Sequence, residues 1–290
     1  MGELVSALQQ SLALQVIFSG LLGAVVGSFL NVVIHRLPAM LEHQWKQDCQ
    51  SLLSDTPPAD AAPAMSLAFP GSACPHCGAP IAARDNIPIL SFALLGGRCR
   101  HCKTAISWQY PVIELITALL TAYATLRFGW SPQTIAAWLL IWALVALTVI
   151  DFRTLLLPDV ITLPLLWAGL LASLWRLHVP PDAAILGATA GYLSLWSVFH
   201  LFRLLTGKEG MGYGDFKLFA ALGAWFGWAA LPLVILLAAA AGTVVGVALL
   251  ARHHGESRPL PFGPYLAVAG LIHLFWGPPL QSAWLRWLGA

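Results

Sequence analysis

Residues 139–150 read Leu-Leu-Ile-Trp-Ala-Leu-Val-Ala-Leu-Thr-Val-Ile, and the acidic residue Asp151 follows them directly. The window 133–150, which contains this run, carries no charged side chain. A helix needs about 20 mainly apolar residues to cross the hydrocarbon core of a bilayer, which is about 30 Å thick. Because backbone groups in lipid must find their partners within the segment, this run predicts a membrane-spanning helix.

Other parts of the chain meet the same test. They are the windows 12–34, 110–127, 160–178, 183–205, 230–251 and 262–284. The segment 215–229 is shorter and glycine-rich, and we count it as an eighth span. The composition agrees, because 58% of the residues are hydrophobic and only 10% are charged, against roughly a quarter charged in soluble domains. We therefore predict an all-α polytopic membrane protein with about eight transmembrane helices in a lipid bilayer.

The basic residues predict the orientation of these spans. With eight spans and the N-terminus outside, twelve of the fifteen Lys and Arg residues fall in inner segments. These segments are 35–109, 151–159, 203–217 and 252–261. Only Arg127, Arg176 and Arg286 fall outside, as the excess of basic residues in cytoplasmic loops requires. The net charge of +2 is too small to indicate a nucleic-acid partner, and the oligomeric state is not indicated.

The largest predicted cytoplasmic segment is 35–109. Its first half, 42–71, is rich in Ala, Pro and Asp, which predicts a flexible linker. We divide the chain into a first span at 1–34, this cytoplasmic segment, and a bundle of spans at 110–290. The first span lacks the basic start of a secretory signal, so we interpret it as retained.

Four of the five cysteines form two Cys-x2-Cys pairs separated by 21 residues: Cys74, Cys77, Cys99 and Cys102. Each pair can present two thiolates from one tight turn, and two such turns complete a tetrahedral zinc shell. A closed shell leaves no position for a catalytic water, which indicates a structural role. Disulfides are the alternative, but a reducing cytosol disfavours them. We expect His76 and His101 to be surface residues rather than substitute ligands, and Cys49 to be a free thiol.

Two aspartates, Asp151 and Asp215, stand at predicted cytoplasmic helix ends. Asp215 follows three closely spaced glycines in the run 210–218, Gly-Met-Gly-Tyr-Gly-Asp-Phe-Lys-Leu. Each carboxylate could be a headgroup residue or a helix cap, and Asp159 after Pro158 is most simply an N-cap. Carboxylates at membrane depth cost about 2.5–3.5 kcal/mol on insertion scales, however, and tend to mark a function.

The glycines at 210, 212 and 214 permit another backbone, such as an extended substrate, to approach Asp215 closely. Two neighbouring carboxylates cannot both ionise readily, so one keeps a proton while the other acts as a base. This pattern favours a pair of aspartates that hydrolyse a peptide bond at one membrane face.

The chain carries a series of motifs along its length: 27–38 (Gly-Ser-Phe-Leu-Asn-Val-Val-Ile-His-Arg-Leu-Pro), the cysteine quartet with 85–88 between its pairs, 110–114, Asp151 with 158–159, the glycine–aspartate box at 210–217, and 261–265. With these motifs in this order, the chain resembles the type IV prepilin peptidases. The glycine–aspartate box alone would be weak, since other intramembrane aspartyl proteases carry one. The full set covers most of the chain and is highly specific.

The resemblance implies a bifunctional enzyme of the bacterial inner membrane with its active site facing the cytoplasm. Asp151 and Asp215 match the dyad that cleaves after the glycine ending the short basic leader of prepilins and pseudopilins. The same enzymes then methylate the new N-terminal residue, usually phenylalanine, with S-adenosylmethionine as donor. The resemblance implies a role for Glu114 in methyl transfer. It also associates the cysteine-bearing segment with methyl transfer.

Asn31, His35 and Arg36 lie near the same predicted face as Glu114, and we expect them to line the donor or substrate site, although Arg36 could serve only as a topology anchor. Three alternatives stay open at this point. One is a transporter that uses its carboxylates as a proton or ion relay, although no inverted repeat is visible. The others are a peptidase without methyl transfer and a zinc-dependent membrane scaffold.

Overall fold

A computed structural model describes residues 11–53, 65–252 and 260–288 of the chain. Within these ranges the secondary structure is helical, and no strand is present. Two short 3-10 turns, Ala83–Asn86 and Trp228–Ala230, accompany the α-helices. In chain order the α-helices are α1 Leu12–Leu53, α2 Leu90–Leu94, α3 Gln109–Phe128, α4 Pro132–Thr154, α5 Asp159–Leu174, α6 Pro181–Thr206, α7 Tyr213–Phe226, α8 Leu231–Arg252 and α9 Gly263–Leu288.

Five helical segments of the described chain are long and apolar enough to cross a membrane. They are α1, α3, α4, α6, and α8 together with the turn before it. Helix α5 is also apolar but has 16 residues, while α7 and α9 coincide with the remaining predicted spans. The predicted class, an all-α polytopic membrane protein, is confirmed. The count of eight spans and the outer N-terminus stay predictions.

Helix α1 is longer than the predicted first span, because it continues through Pro38 to Leu53. The prediction of a flexible linker was therefore wrong for residues 42–53. This stretch is rich in good helix formers such as Leu, Glu, Gln and Lys, and Lys46 pairs with Glu42 one turn earlier at 2.7 Å. The proline-rich part of the linker, 54–64, lies outside the described residues.

The chain separates into two compact units, Met1–Leu126 and Arg127–Ala290, which we call the N-terminal and C-terminal units. Contacts alone assign no activity to either unit. The functional division at 34 and 109 therefore stays a prediction.

The N-terminal unit is held together by close packing of α1 against α3. A Cβ atom added to Gly23 would lie 2.7 Å from the Thr121 hydroxyl oxygen, and one added to Gly27 would lie 2.8 Å from the Cα atom of Glu114. Small residues four positions apart let two helix backbones approach in this way in membranes. The buried Thr125 hydroxyl adds a hydrogen bond of 2.7 Å to Ser19.

The C-terminal unit is organised around α7, whose residues are buried from Asp215 to Phe226 except Lys217. A helix that is apolar all round belongs in the interior of a bundle. Gly187 of α6 and Gly223 of α7 touch backbone to backbone, so that a Cβ atom on either would overlap the carbonyl group of the other. On a second side, the Trp225 indole N–H donates to the Leu165 carbonyl of α5 at 2.9 Å.

We expect Gly187→Ala to destabilise the C-terminal unit, because the added methyl group has no room beside the Gly223 carbonyl. Overpacking of this kind typically costs about 1–3 kcal/mol. Thermal unfolding in detergent should show a clearly lower midpoint. The matched control is Gly20→Ala, where the added Cβ meets Ala122 at an ordinary 3.6 Å. An unchanged midpoint for Gly187→Ala would contradict the close helix contact.

Candidate active site and metal centre

Asp151 lies in the last turn of α4 and is only 4% exposed. The backbone amide of Gly263, at the start of α9, lies against its carboxylate. No hydrogen-bond partner within the described residues reaches Oδ2. A negative charge near a helix C-terminus opposes the helix dipole, and a buried, unpaired polar atom costs about 1–3 kcal/mol. Apart from the Gly263 amide, no contact among the described residues gives Asp151 a stabilising role.

Asp215 is the third residue of α7 and is 6% exposed. Its Oδ2 accepts a hydrogen bond of 3.1 Å from the N–H group of Gly212. This is one half of a capping box, and Gly212 has no side chain to supply the other half. The cap hypothesis for Asp215 is thus correct for one oxygen only, because Oδ1 is buried without a partner among the described residues.

The two carboxylates lie close enough for their charges to interact. Leu157, in the connection after α4, fills the space between two glycines. Its Cβ would lie 2.6 Å from a Cβ added to Gly214, and its methyl groups 3.0 Å from one added to Gly263. The chain therefore needs glycine at 214 to admit Leu157. The expected approach of a substrate backbone stays a prediction for Gly212, where only Asp215 and the Gly214 amide lie within 4 Å.

The prediction that Asp159 caps α5 was wrong. Pro158 occupies the N-cap position, and no side chain caps the helix. The carboxylate of Asp159 instead accepts two hydrogen bonds from the Lys217 ammonium group, at 2.6 and 2.7 Å. This ion pair joins the first residue of α5 to the fifth residue of α7, two residues beyond Asp215. It is a link that spacing in the sequence did not reveal.

The cysteine quartet of the N-terminal unit forms one cluster, with all four sulfur atoms within 4.8 Å of one another. The two turns that carry it repeat the same hydrogen bonds. Cys74 N–H donates to Ala79 and Cys99 N–H to Thr104, and the fourth residue after each first cysteine donates back to it. Four thiols in this arrangement could hold a metal ion, as predicted, and Cys49 lies apart and exposed.

An ion pair between Asp85 and Arg100 joins the turn that carries Cys99 and Cys102 to the segment between the two cysteine pairs. The Arg100 guanidinium donates to both carboxylate oxygens, at 2.6 Å from Nη2 to Oδ1 and 2.9 Å from Nε to Oδ2. This forked contact holds the pKa of Asp85 below its usual range. Gly96 and Gly97, with φ of +60° and +67°, form the turn before the second pair, so their left-handed backbone explains the glycines.

Glu114 and Asn31 are buried polar residues of the N-terminal unit. The carboxylate of Glu114 accepts a 2.7 Å hydrogen bond from the N–H group of Ile89 and also interacts with the Ser28 hydroxyl. The Asn31 amide donates to the carbonyls of Gly27 and Tyr110, and no described residue pairs with its Oδ1. The structure thus brings two of the predicted donor-site residues near one helix contact.

Ile89 has φ of +62° and ψ of −49°, a strained conformation for a β-branched residue. Strain of this kind persists where the surroundings enforce it, and it concentrates at functional sites. Here it aims the Ile89 amide at Glu114. The sequence motif at 85–88 stops one residue short of this position, and no local pattern signals it.

Arg36 has a different partner from Asn31 and Glu114. Its guanidinium donates to the carbonyls of Ser66 and Leu67, at 3.0 and 3.3 Å, and so fixes the segment that begins at 65. His35 is exposed. These contacts explain Arg36 as a link to Ser66 and Leu67. A role of Arg36 toward a methyl donor stays a prediction.

The fold and these buried groups define a polytopic helical membrane protein with two buried carboxylates, each with one oxygen unpaired among the described residues, and a separate thiol cluster. Residues 21–128 match the family described as Bacterial Peptidase A24 N-terminal domain, and residues 138–247 match the Type IV leader peptidase family. No solved structure matches the chain.

Named relatives agree with these matches over nearly the whole length. The prepilin leader peptidase/N-methyltransferase of Aeromonas salmonicida is 55% identical over 269 residues, covering 91% of this chain and 92% of the relative. The protein of that name from Pseudomonas aeruginosa is 52% identical, covering 93% of each chain. The chain therefore belongs to the type IV leader peptidase family, as its motifs predicted. This membership speaks against a transporter or a scaffold.

We expect Cys74→Ser to abolish metal binding, because each thiolate supplies one of the four ligands of the cluster. Metal content of the purified protein should fall from about one ion per chain to near zero. The matched control is Cys49→Ser, which removes the one cysteine outside the cluster and should leave the metal content unchanged. Full occupancy in Cys74→Ser would rule out the four-thiolate site.

Proposed function

We propose that the protein is a prepilin leader peptidase/N-methyltransferase of the bacterial inner membrane. It cleaves the short basic leader of prepilins or pseudopilins after its terminal glycine and then methylates the new N-terminus. The observation that carries the peptidase activity is the pair Asp151 and Asp215, both buried, each with one unpaired oxygen, and near enough for their charges to interact. Family membership supports both activities.

Cleavage uses the two aspartates as base and acid. Two buried carboxylates whose charges repel each other share one proton more readily than they hold two negative charges. The ionised carboxylate removes a proton from water as the water oxygen attacks the carbonyl carbon of the scissile bond. The protonated carboxyl donates its proton to the carbonyl oxygen. The tetrahedral intermediate then breaks its C–N bond. The leaving nitrogen takes up the proton that the base removed, and one hydroxyl group of the intermediate returns its proton to the other carboxylate, which leaves a carboxyl product and restores the pair.

The active site faces the cytoplasm in this proposal. Basic residues concentrate in the segments that carry Asp151 and Asp215, as in the cytoplasmic loops of membrane proteins. A basic leader stays on that side, while the apolar segment that follows it lies in the bilayer. The scissile bond therefore reaches the cytoplasmic membrane boundary, where the ends of α4 and α7 hold the dyad.

Methyl transfer belongs to the N-terminal unit. S-adenosylmethionine supplies an electrophilic methyl group on a sulfonium cation when it is bound. The residues fit such a ligand, because Glu114 offers a negative charge and the unpaired Asn31 Oδ1 offers a buried acceptor. Glu114 and Asn31 would hold the donor, and Arg36 fixes the neighbouring segment at Ser66 and Leu67.

Zinc is the ion that the four cysteines fit best. Four thiolates favour Zn²⁺ over harder cations, and a four-thiolate site leaves no ligand position open. Its role is to order residues 72–106, whose described secondary structure consists of short turns, two isolated bridges and the five-residue helix α2. A segment of this size gains much of its order from such an ion.

We expect Asp151→Asn and Asp215→Asn each to abolish leader cleavage, because an amide can neither accept nor donate the required proton. The rate should fall by a factor of about 10²–10⁴ or more. The assay incubates the purified protein in detergent with a prepilin and follows the shortened product. Asp182→Asn, which changes an exposed aspartate at the start of α6, is the matched control. Full cleavage by both dyad variants would refute the peptidase mechanism.

We expect Glu114→Gln to lose methyl transfer while it keeps leader cleavage, because it removes a negative charge from the N-terminal unit and leaves the aspartate pair unchanged. Transfer of label from S-adenosylmethionine to cleaved prepilin should fall at least tenfold. Glu42→Gln, at an exposed glutamate of α1, should retain both activities. Normal methylation by Glu114→Gln would remove Glu114 from the donor site.

A further inference from the structure

The short connection between α4 and α5 begins beside one of the two aspartates. It consists of residues 155–158. Its first residue, Leu155, has a left-handed backbone with φ of +55°, and its N–H group donates to the Asp151 carbonyl at 2.9 Å. The connection is therefore tied at its upstream end to the main chain of Asp151.

The third residue of the connection, Leu157, is buried between the surroundings of the two carboxylates. On one side its Cβ atom fills the space beside Gly214, the residue before Asp215. On the other side its methyl groups lie against Gly263, where an added Cβ would also lie 2.6 Å from Asp151 Oδ2. Because Leu157 contacts both neighbours, its position limits how closely the start of α7 approaches Asp151.

The ion pair of Asp159 and Lys217 holds the downstream end of the connection. Asp159 is the first residue after it, and both of its carboxylate oxygens accept from the Lys217 ammonium group. Lys217 is the one residue of α7 between Asp215 and Phe226 that is not buried, with a side chain 27% exposed. The pair therefore joins the end of the connection to α7 next to Asp215.

The position of Lys217 on α7 separates its charge from the proposed chemistry. Residues two apart on an α-helix lie about 200° apart around its axis and do not face each other. The Lys217 ammonium group accordingly pairs with Asp159 and not with Asp215. Any influence of Lys217 on the Asp215 carboxylate therefore passes through the position of the helix and the connection.

We propose that Asp159 and Lys217 are positioning residues for leader cleavage, and that their ion pair holds Leu157 in place and so sets the separation of Asp151 and Asp215. The inference rests on the proposed function. The chain from Asp151 through the connection to Asp159, and across the ion pair to Lys217 and Asp215, forms a closed ring that contains both carboxylates. An exposed ion pair adds little to global stability, whereas a displacement of about 1 Å at a reacting group can lower the rate about 100-fold.

The first test measures kcat and KM for cleavage of a prepilin by purified protein in detergent. Lys217→Met and Asp159→Asn should each lower kcat at least about fivefold, with KM within about twofold of the wild type. The double variant should lose no more than either single variant, because each change alone already breaks the pair. Lys217→Arg keeps the charge and the donors and should retain kcat within about twofold.

A matched control breaks the other ion pair that the described part of the C-terminal unit contains. Arg203 of α6 lies 3.7 Å from Glu209, and both side chains are exposed. This pair does not include a residue of the connection or of α7. Arg203→Met should therefore keep the kcat of the wild type.

The pH profile of kcat gives a second readout, which the amount of folded enzyme does not alter. The mechanism requires one shared proton, so activity falls when the pair gains a second proton or loses the first. The pH range between these limits widens as the carboxylates repel each other more strongly. We expect Lys217→Met and Asp159→Asn both to narrow it by about 0.3–0.5 pH units, as about 1 Å of added separation would produce.

The profile also distinguishes positioning from a direct effect of charge. Removal of a cation and removal of an anion would shift the whole profile in opposite directions if either charge acted on the dyad directly. Such opposite shifts at unchanged width, a normal kcat for Asp159→Asn, or additive losses in the double variant would each overturn the inference. Failure of the wild type to cleave the prepilin would instead overturn the proposed function.

Discussion

The burial of helix α7 is the constraint on which the proposed active site depends. Gly187 and Gly223 let α6 and α7 touch along their backbones, and the Trp225 indole fastens α7 to α5. A short helix enclosed in this way holds its first turn at a fixed place. Asp215 stands in that turn, and Leu157 separates its neighbour Gly214 from Gly263 beside Asp151. The position of the carboxylate pair therefore follows from helix packing rather than from bonds made by the carboxylates themselves.

Polar groups left without partners concentrate at the proposed sites. A protein in lipid must pair its buried polar atoms internally, and most of the described ones are paired. Asp151, Asp215 and Tyr265 are exceptions around the start of α9, and Asn31 is one in the N-terminal unit. The other side-chain exceptions in the described chain are ring nitrogens of the partly exposed His178 and the buried His273, and the proposed mechanism does not use them. Unpaired atoms at a site mark where substrate, water or cofactor supplies the missing bond.

The two units use different means to position their functional groups. In the C-terminal unit, long apolar helices do so through close packing. In the N-terminal unit, the segment between α1 and α3 has little helix of its own, and the thiol cluster and the Asp85–Arg100 pair organise it. The strained Ile89 amide then meets Glu114. In the proposed function, a metal ion in the cluster would influence methyl transfer by ordering this segment, without taking part in the chemistry.

The sequence by itself determined the features that depend on local composition and spacing. Long uncharged runs predicted the membrane helices, and the Cys-x2-Cys pairs predicted the cluster, because both signals are contained in short stretches. Tertiary structure alone decided which distant groups meet: Asp151 with Gly263, Asp159 with Lys217, and Glu114 with Ile89. These contacts join residues on different elements, and their geometry depends on how whole helices pack, which no local pattern encodes. The extension of α1 to Leu53 could have been predicted from the sequence, because residues 42–53 include good helix formers. The prolines that follow led to the wrong prediction of a flexible linker there.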